Sequence, residues 1–102
     1  MKRFLLLAIV AFVLPLSANA GKDIEATYNA SCAICHVSGV AGAPKTGDHA
    51  AWDARLEKGM DALVSSVQHG LNAMPPTGMC ADCSAEDYKA LIHYMYDGKI
   101  QE

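Results

Sequence analysis

The stretch SCAICHVSG, residues 31–39, places two residues between Cys32 and Cys35 and follows the second directly with His36. Two thiols and an imidazole this close can hold a zinc ion, close a disulfide or carry a haem. Each outcome demands a different surrounding chain, so the rest of the sequence decides among them.

Zinc needs four soft ligands in a tetrahedron, and Cys80 and Cys83 form a second C-x-x-C that could supply the other two. However, 44 residues lie between the two halves, against about 15 to 20 in the usual pattern. Those residues also have helical rather than hairpin patterning. A thioredoxin-like dithiol belongs with a βαβ unit, and no run of alternating β-branched residues is present. C-x-x-C-H is the signature of covalent haem attachment. Its spacing suits that chemistry: both sulfurs add along one porphyrin edge, and the next residue carries its imidazole over the ring toward the iron.

Toward the N-terminus, Lys2 and Arg3 precede an apolar run, Phe4 to Leu16, and Ser17-Ala18-Asn19-Ala20 offers an A-x-A cleavage site. This is the layout of a secretory signal peptide. The run has thirteen residues, short of the roughly 20 that span a bilayer. The expectation is therefore residues 1–20 as a cleaved signal peptide and 21–102 as one periplasmic domain with no stable membrane insertion. Removal of Lys2 and Arg3 takes the net charge from −3 to −5. That balance excludes nucleic acid as a main partner, because such affinity comes from Lys and Arg neutralising phosphates.

A domain of this size buries a marginal core and needs a staple or a cofactor. An oxidising compartment also leaves no place for idle thiols. A buried haem answers the first need. If it removes ~500 Å² from water, then ~25 cal/mol per Å² gives on the order of 10 kcal/mol, comparable to a whole domain's stability.

The remaining pattern is helical. Asp23 caps a helix through about Ser31, with Ile24 and Tyr28 on its apolar side and Cys32 to His36 at its end. VSGVAGAPKTGD, residues 37–48, is a glycine-rich loop. Asp48 caps a second helix through about Lys58, with Trp52 and Leu56 facing inward, and Gly59 ends it. A third helix runs from about Met60 to Gln68, and Gly70 stops it. LNAMPPTGMCADC, residues 71–83, reads as ordered but non-helical. Ser84 caps a last helix whose stripe is Tyr88, Leu91, Ile92, Met95 and Tyr96, ending at Gly98.

A haem held by His36 has a second axial position to fill. Met60 and Met95 suit core filling, and Met79 adjoins Cys80. His49, His69 and His93 sit in no helper motif. Met74 stands apart: it precedes Pro75 and Pro76 and lies 38 residues after His36, with two helices between. A thioether there would raise the potential, as the general rule for cytochromes c has it. A buried gap-filler is the alternative for Met74.

CAICHVSGVAGAPKTGD, AMPPTGMCADCS and the Tyr-rich last helix together resemble a class I cytochrome c, in particular the small bacterial cytochrome c5 group. The similarity runs from about Tyr28 to Met95. The resemblance implies an all-α fold of about four helices wrapped around one covalently bound haem c. It implies thioether attachment through Cys32 and Cys35, His36 and Met74 as axial ligands, and a Pro44 carbonyl accepting from His36 Nδ1. It also implies a Cys80–Cys83 disulfide; a reactive dithiol is the alternative for that pair. The implied function is one-electron transfer, not catalysis. The implied partners are redox proteins: membrane respiratory complexes and a terminal oxidase or reductase. The chain's acidity argues against docking through a basic ring, while Val40, Ala41 and Ala43 make an unusually apolar loop that suits a docking patch. Two other classes remain in view, a haem enzyme or gas sensor with an open iron face and a zinc or thiol-redox protein.

Overall fold

Asp23 opens the first helix, its Oδ1 accepting the Ala26 N–H at 3.1 Å. The structure is a computed structural model and describes residues 22–98; the expected signal peptide, residues 1–20, lies outside the described residues. One α-helical turn, α1 (Ile24–Thr27), passes directly into a π-helical turn, Tyr28–Cys32, and then into a second α-helical turn, α2 (Ala33–His36). The helix expected through about Ser31, with Cys32 to His36 at its end, thus continues in helical turns to His36. In the wide turn the Ala33 N–H reaches back to the Tyr28 carbonyl, which accommodates one extra residue and redirects α2.

The glycine-rich loop contains a short 3-10 turn, Val40–Gly42. It ends in a heavily bonded segment: Thr46 N–H donates to the His36 carbonyl at 2.8 Å and Gly47 N–H to the Met95 carbonyl at 2.7 Å. Asp48 then caps α3 (His49–Leu56) through the Ala51 N–H, and α4 (Met60–His69) comes after Gly59. Residues 71–83 are mostly irregular, with one difference from expectation. Pro75 is extended, but Pro76 starts a 3-10 turn, Pro76–Met79, in which Thr77 and Gly78 have left-handed φ values. The last helix, α5 (Ala85–Asp97), begins with a complete capping box between Ser84 and Asp87 and ends at left-handed Gly98.

The core is built where α5 meets the other helices. Tyr88, Leu91, Ile92 and Met95 of α5 are buried against Tyr28, Trp52, Leu63, Val64 and Cys80. Tyr28 and Tyr94 pack ring against ring at 4.7 Å, joining the π turn to α5. The fold is all-α. Among the described residues there is no β-sheet, only an isolated bridge between Leu71 and Met74. No helix among them is long and apolar enough to cross a membrane.

Candidate functional site

One cleft, of about 290 Å³, opens between the end of the first helix, the Val40–Pro44 loop and the loop after α4. Cys32, Cys35, His36, Pro44 and Met74 all line it. Residues from three separate stretches of chain therefore share one space, and most of their neighbours there are apolar.

The π turn and α2 carry the first group. His36 is only 6% exposed, and its Nδ1 lies 2.8 Å from the Pro44 carbonyl. That carbonyl can only accept, so Nδ1 carries the proton and Nε2 keeps its lone pair for another partner. Cys32 and Cys35 are free thiols, whereas Cys80 and Cys83 are joined by a disulfide. Burial pushes the Cys32 thiol up to about 11, and the neighbouring Cys35 adds to the shift. A raised thiol is a poor redox nucleophile, which disfavours Cys32 as the attacking group in thiol–disulfide exchange. The four cysteines do not converge as a zinc site either, because two of them are already bonded to each other.

The second group sits on the loop after α4. Leu71 and Met74 exchange both backbone hydrogen bonds, at 3.0 and 2.9 Å, which fixes the Met74 backbone in a tight turn. Two glycines make room for it. A Cβ on Gly70 would come within 3.0 Å of the Met74 carbonyl oxygen, and one on Gly78 within 3.1 Å of Met74 Cε. The turn is anchored elsewhere as well. Ser31 Oγ donates to the Met79 carbonyl at 3.3 Å, and the buried Tyr88 hydroxyl donates to the Cys80 carbonyl at 2.7 Å.

Among the lining residues Arg55 is the single Lys or Arg side chain. The sequence pattern did not single it out. It donates to the Ala51 carbonyl at 2.9 Å and the Gly42 carbonyl at 3.4 Å, which braces the Val40–Gly42 wall against α3. Its available signal was its place three residues after inward-facing Trp52 on the same helix. The other histidines are accounted for locally or stand apart from the cleft. His49 stacks on Tyr96 at 4.5 Å, His69 Nδ1 bonds within α4 to Ser65, and exposed His93 does not line the cleft. Met95 is core, Met60 packs at its edge, and Met79 is exposed at the rim.

The donor set fits a haem c: two uncommitted thiols three positions apart, an imidazole whose far nitrogen is free, a thioether and an apolar lining. Comparison with known proteins agrees. The family model described as "Cytochrome C oxidase, cbb3-type, subunit III" matches residues 19–95. Cytochrome c5 of Azotobacter vinelandii is 48% identical over 80 residues, covering 76% of this chain and 93% of that protein. Cytochrome c5 of Ectopseudomonas mendocina is 44% identical, with coverage of 76% and 88%. Among solved structures, a mono-haem ferrocytochrome c from Shewanella putrefaciens matches with TM-score 0.68 and 58% identity, covering 76% of this chain and 95% of that one. The structure of an electron transfer complex of nitrite reductase with cytochrome c matches with TM-score 0.66 and 43% identity, covering 74% and 94%.

Proposed function

The chain belongs to the class I c-type cytochromes, in the cytochrome c5 group, and carries one covalently bound haem c; from that premise we propose that it is an exported one-electron carrier whose iron is held by His36 and Met74. Cys32 and Cys35 are the attachment thiols in this reading, and residues 1–20 are the export signal that delivers the chain to the periplasm. The bound haem supplies a one-electron couple between ferric and ferrous iron.

The observation that carries the reading is the convergence of Cys32, Cys35, His36 and Met74 on one apolar cleft. The protein's own contribution is positional. The Pro44 carbonyl holds the imidazole proton at Nδ1, which directs Nε2 to a metal and strengthens it as a donor. The Leu71–Met74 backbone pair and the space left by Gly70 and Gly78 keep the thioether where a ligand is needed. The apolar lining disfavours net charge and so favours the ferrous state. Fixed ligands on a braced frame keep reorganisation between the two states small.

The same geometry bears on partners. Val40, Leu71 and Met79, which line the cleft, are 49, 53 and 62% exposed. They form an apolar rim through which a redox protein could approach the haem edge. A similar cytochrome has been seen with nitrite reductase, which supports a terminal reductase as acceptor; a terminal oxidase as alternative acceptor and a membrane respiratory complex as donor are part of the proposal. With a net charge of −5 after export, docking rests on this rim and not on a ring of lysines.

Optical spectra of the oxidised and reduced protein test the proposal. The expected result is a sharp-banded reduced spectrum and an oxidised sulfur-to-iron charge-transfer band that Met74→Ala abolishes. Rapid cyanide or carbon monoxide binding by the wild type at neutral pH would contradict it and indicate an open iron face.

A further inference from the structure

We infer that Trp52 is a positioning residue for the His36 imidazole, fixing the direction of the ring plane and the strength of the hydrogen bond at Nδ1. The inference rests on the reading of His36 as an iron ligand and adds a second point of control behind it.

Two independent contacts carry it. The Trp52 and His36 rings stack with centroids 5.7 Å apart and planes 26° from parallel. Both side chains are almost fully buried, at 4 and 6% exposure, so the imidazole is confined on that face. That contact alone would be ordinary core packing. The second contact makes it specific. Trp52 Nε1–H donates to the Lys45 carbonyl at 3.0 Å, and Lys45 directly follows Pro44, whose carbonyl lies 2.8 Å from His36 Nδ1. One indole therefore touches the imidazole face and also grips the peptide next to the one that accepts the imidazole proton.

The segment is also tied beyond the Pro44 carbonyl, through Thr46, Gly47 and Asp48. Thr46 N–H donates to the His36 carbonyl, the Thr46 hydroxyl shares a hydrogen bond with Tyr28, and Asp48 N–H returns to Lys45. Trp52 itself rides on α3, which Asp48 caps. The closed loop of contacts runs from α2 through residues 44–48 to α3 and back to the imidazole. If the indole is removed, the ring gains freedom to turn and the Pro44 carbonyl gains freedom to drift. A weaker bond at Nδ1 makes Nε2 a poorer donor, which destabilises the ferric state more than the ferrous.

The direction of the change separates this role from simple core filling. A looser core admits water to the cleft, which favours the more charged ferric state and lowers the potential. Loss of positioning raises it. The experiment uses the haem-loaded full chain with Trp52→Leu, which removes both contacts, and Trp52→Phe, which keeps a ring against the imidazole but has no N–H. Expected for Trp52→Leu is a raised midpoint potential. The ferrous-to-ferric ratio at fixed poise should increase about three- to tenfold, the weight of one net hydrogen bond. The spread of haem methyl proton shifts in the oxidised protein follows the imidazole plane, and it should change in Trp52→Leu. Trp52→Phe should raise the potential by a smaller factor with the methyl pattern close to wild type. A potential unchanged or lowered in both variants overturns the inference. If Trp52→Leu does not load haem, the sign of the Trp52→Phe shift decides alone. A wild-type protein lacking haem, or with His36 off the iron, would instead sink the functional reading. Haem-loaded, His36-ligated wild type with indifferent Trp52 variants sinks this inference only.

Discussion

Tyr88→Phe removes one atom from the best-buried polar contact near the site, and its cost can be worked out. The Tyr88 hydroxyl donates to the Cys80 carbonyl at 2.7 Å, and both residues are buried. Burial raises the phenol's pKa, so it remains a donor throughout the neutral range. Phenylalanine keeps the ring and its packing against the core, so no cavity term arises. What remains is the lost bond and the fate of the carbonyl. An acceptor left with no partner would cost about 1–3 kcal/mol. This one retains the Cys83 N–H at 3.2 Å, so the loss should sit near the value of a single net hydrogen bond, about 1 kcal/mol. For a domain of this size that corresponds to a melting temperature lower by about 4–8 °C. Denaturant and thermal melts of the haem-loaded protein measure it, with the oxidised charge-transfer band checking that the ligands stay in place. No loss would mean that the contact is not made in solution. A loss of about 3 kcal/mol would mean that the Cys83 N–H does not serve the same carbonyl.

Removal of the clip beside it, in a Cys80→Ala, Cys83→Ala double variant, should cost about 2 kcal/mol by loop-closure entropy for so short a loop; a denaturant melt with no shift in midpoint would contradict this. The exposed Lys22–Asp82 pair at 2.7 Å predicts a pH signature. The Lys22 hydrogen bond holds the Asp82 carboxyl below its ordinary value, so that contribution is lost as pH falls through the depressed value. The same hydrogen bond raises the Lys22 amine, so its contribution is lost as pH rises through the raised value. Asp82→Asn should therefore differ slightly from wild type at neutral pH and converge with it in acid and in strong alkali; a difference that grows on acidification is the opposite outcome. Gly78→Ala sets a Cβ 3.1 Å from Met74 Cε at a left-handed backbone position, so it should weaken the charge-transfer band or shift it, and an unaltered spectrum would show that Gly78 leaves the thioether free. The haem-free chain should lack native helix content by far-UV dichroism, since its cleft would be an unfilled hole in a small core; a native-like spectrum would argue otherwise.

The parts of this structure legible in the sequence are those that local chemistry dictates. Asp23, Asp48 and Ser84 each accept from the N–H three positions on, and the stripe on α5 is buried at Tyr88, Leu91, Ile92 and Met95. The π turn was not legible, because an i to i+5 hydrogen bond leaves no periodic mark on the residues that form it. Nor were the left-handed conformations of Ala41, Asn72, Thr77 and Met79, since such positions usually advertise themselves with glycine. Three of these four residues line the cleft, so the strain collects where the loops must close around a ligand. Trp52 could be assigned to the interior from its spacing with Leu56, but not to the face of His36. That contact joins two helices through a loop of irregular backbone, and no pattern within either helix encodes it. Arg55 escaped notice because a cation in a helix ordinarily means a solvated face.

The assembled frame works as a holder. One loop supplies carbonyls for an imidazole and an indole, another presents a thioether between two glycines, and α5 supports both from behind. All of this has a purpose only if a porphyrin occupies the cleft through thioether bonds to Cys32 and Cys35. Intact-mass analysis of the exported, denatured protein tests that directly. The account predicts a single species weighing residues 21–102 plus one haem, with the added mass lost when Cys32 and Cys35 are both replaced by alanine. A mass equal to the bare polypeptide, from a host competent in haem attachment, would contradict it.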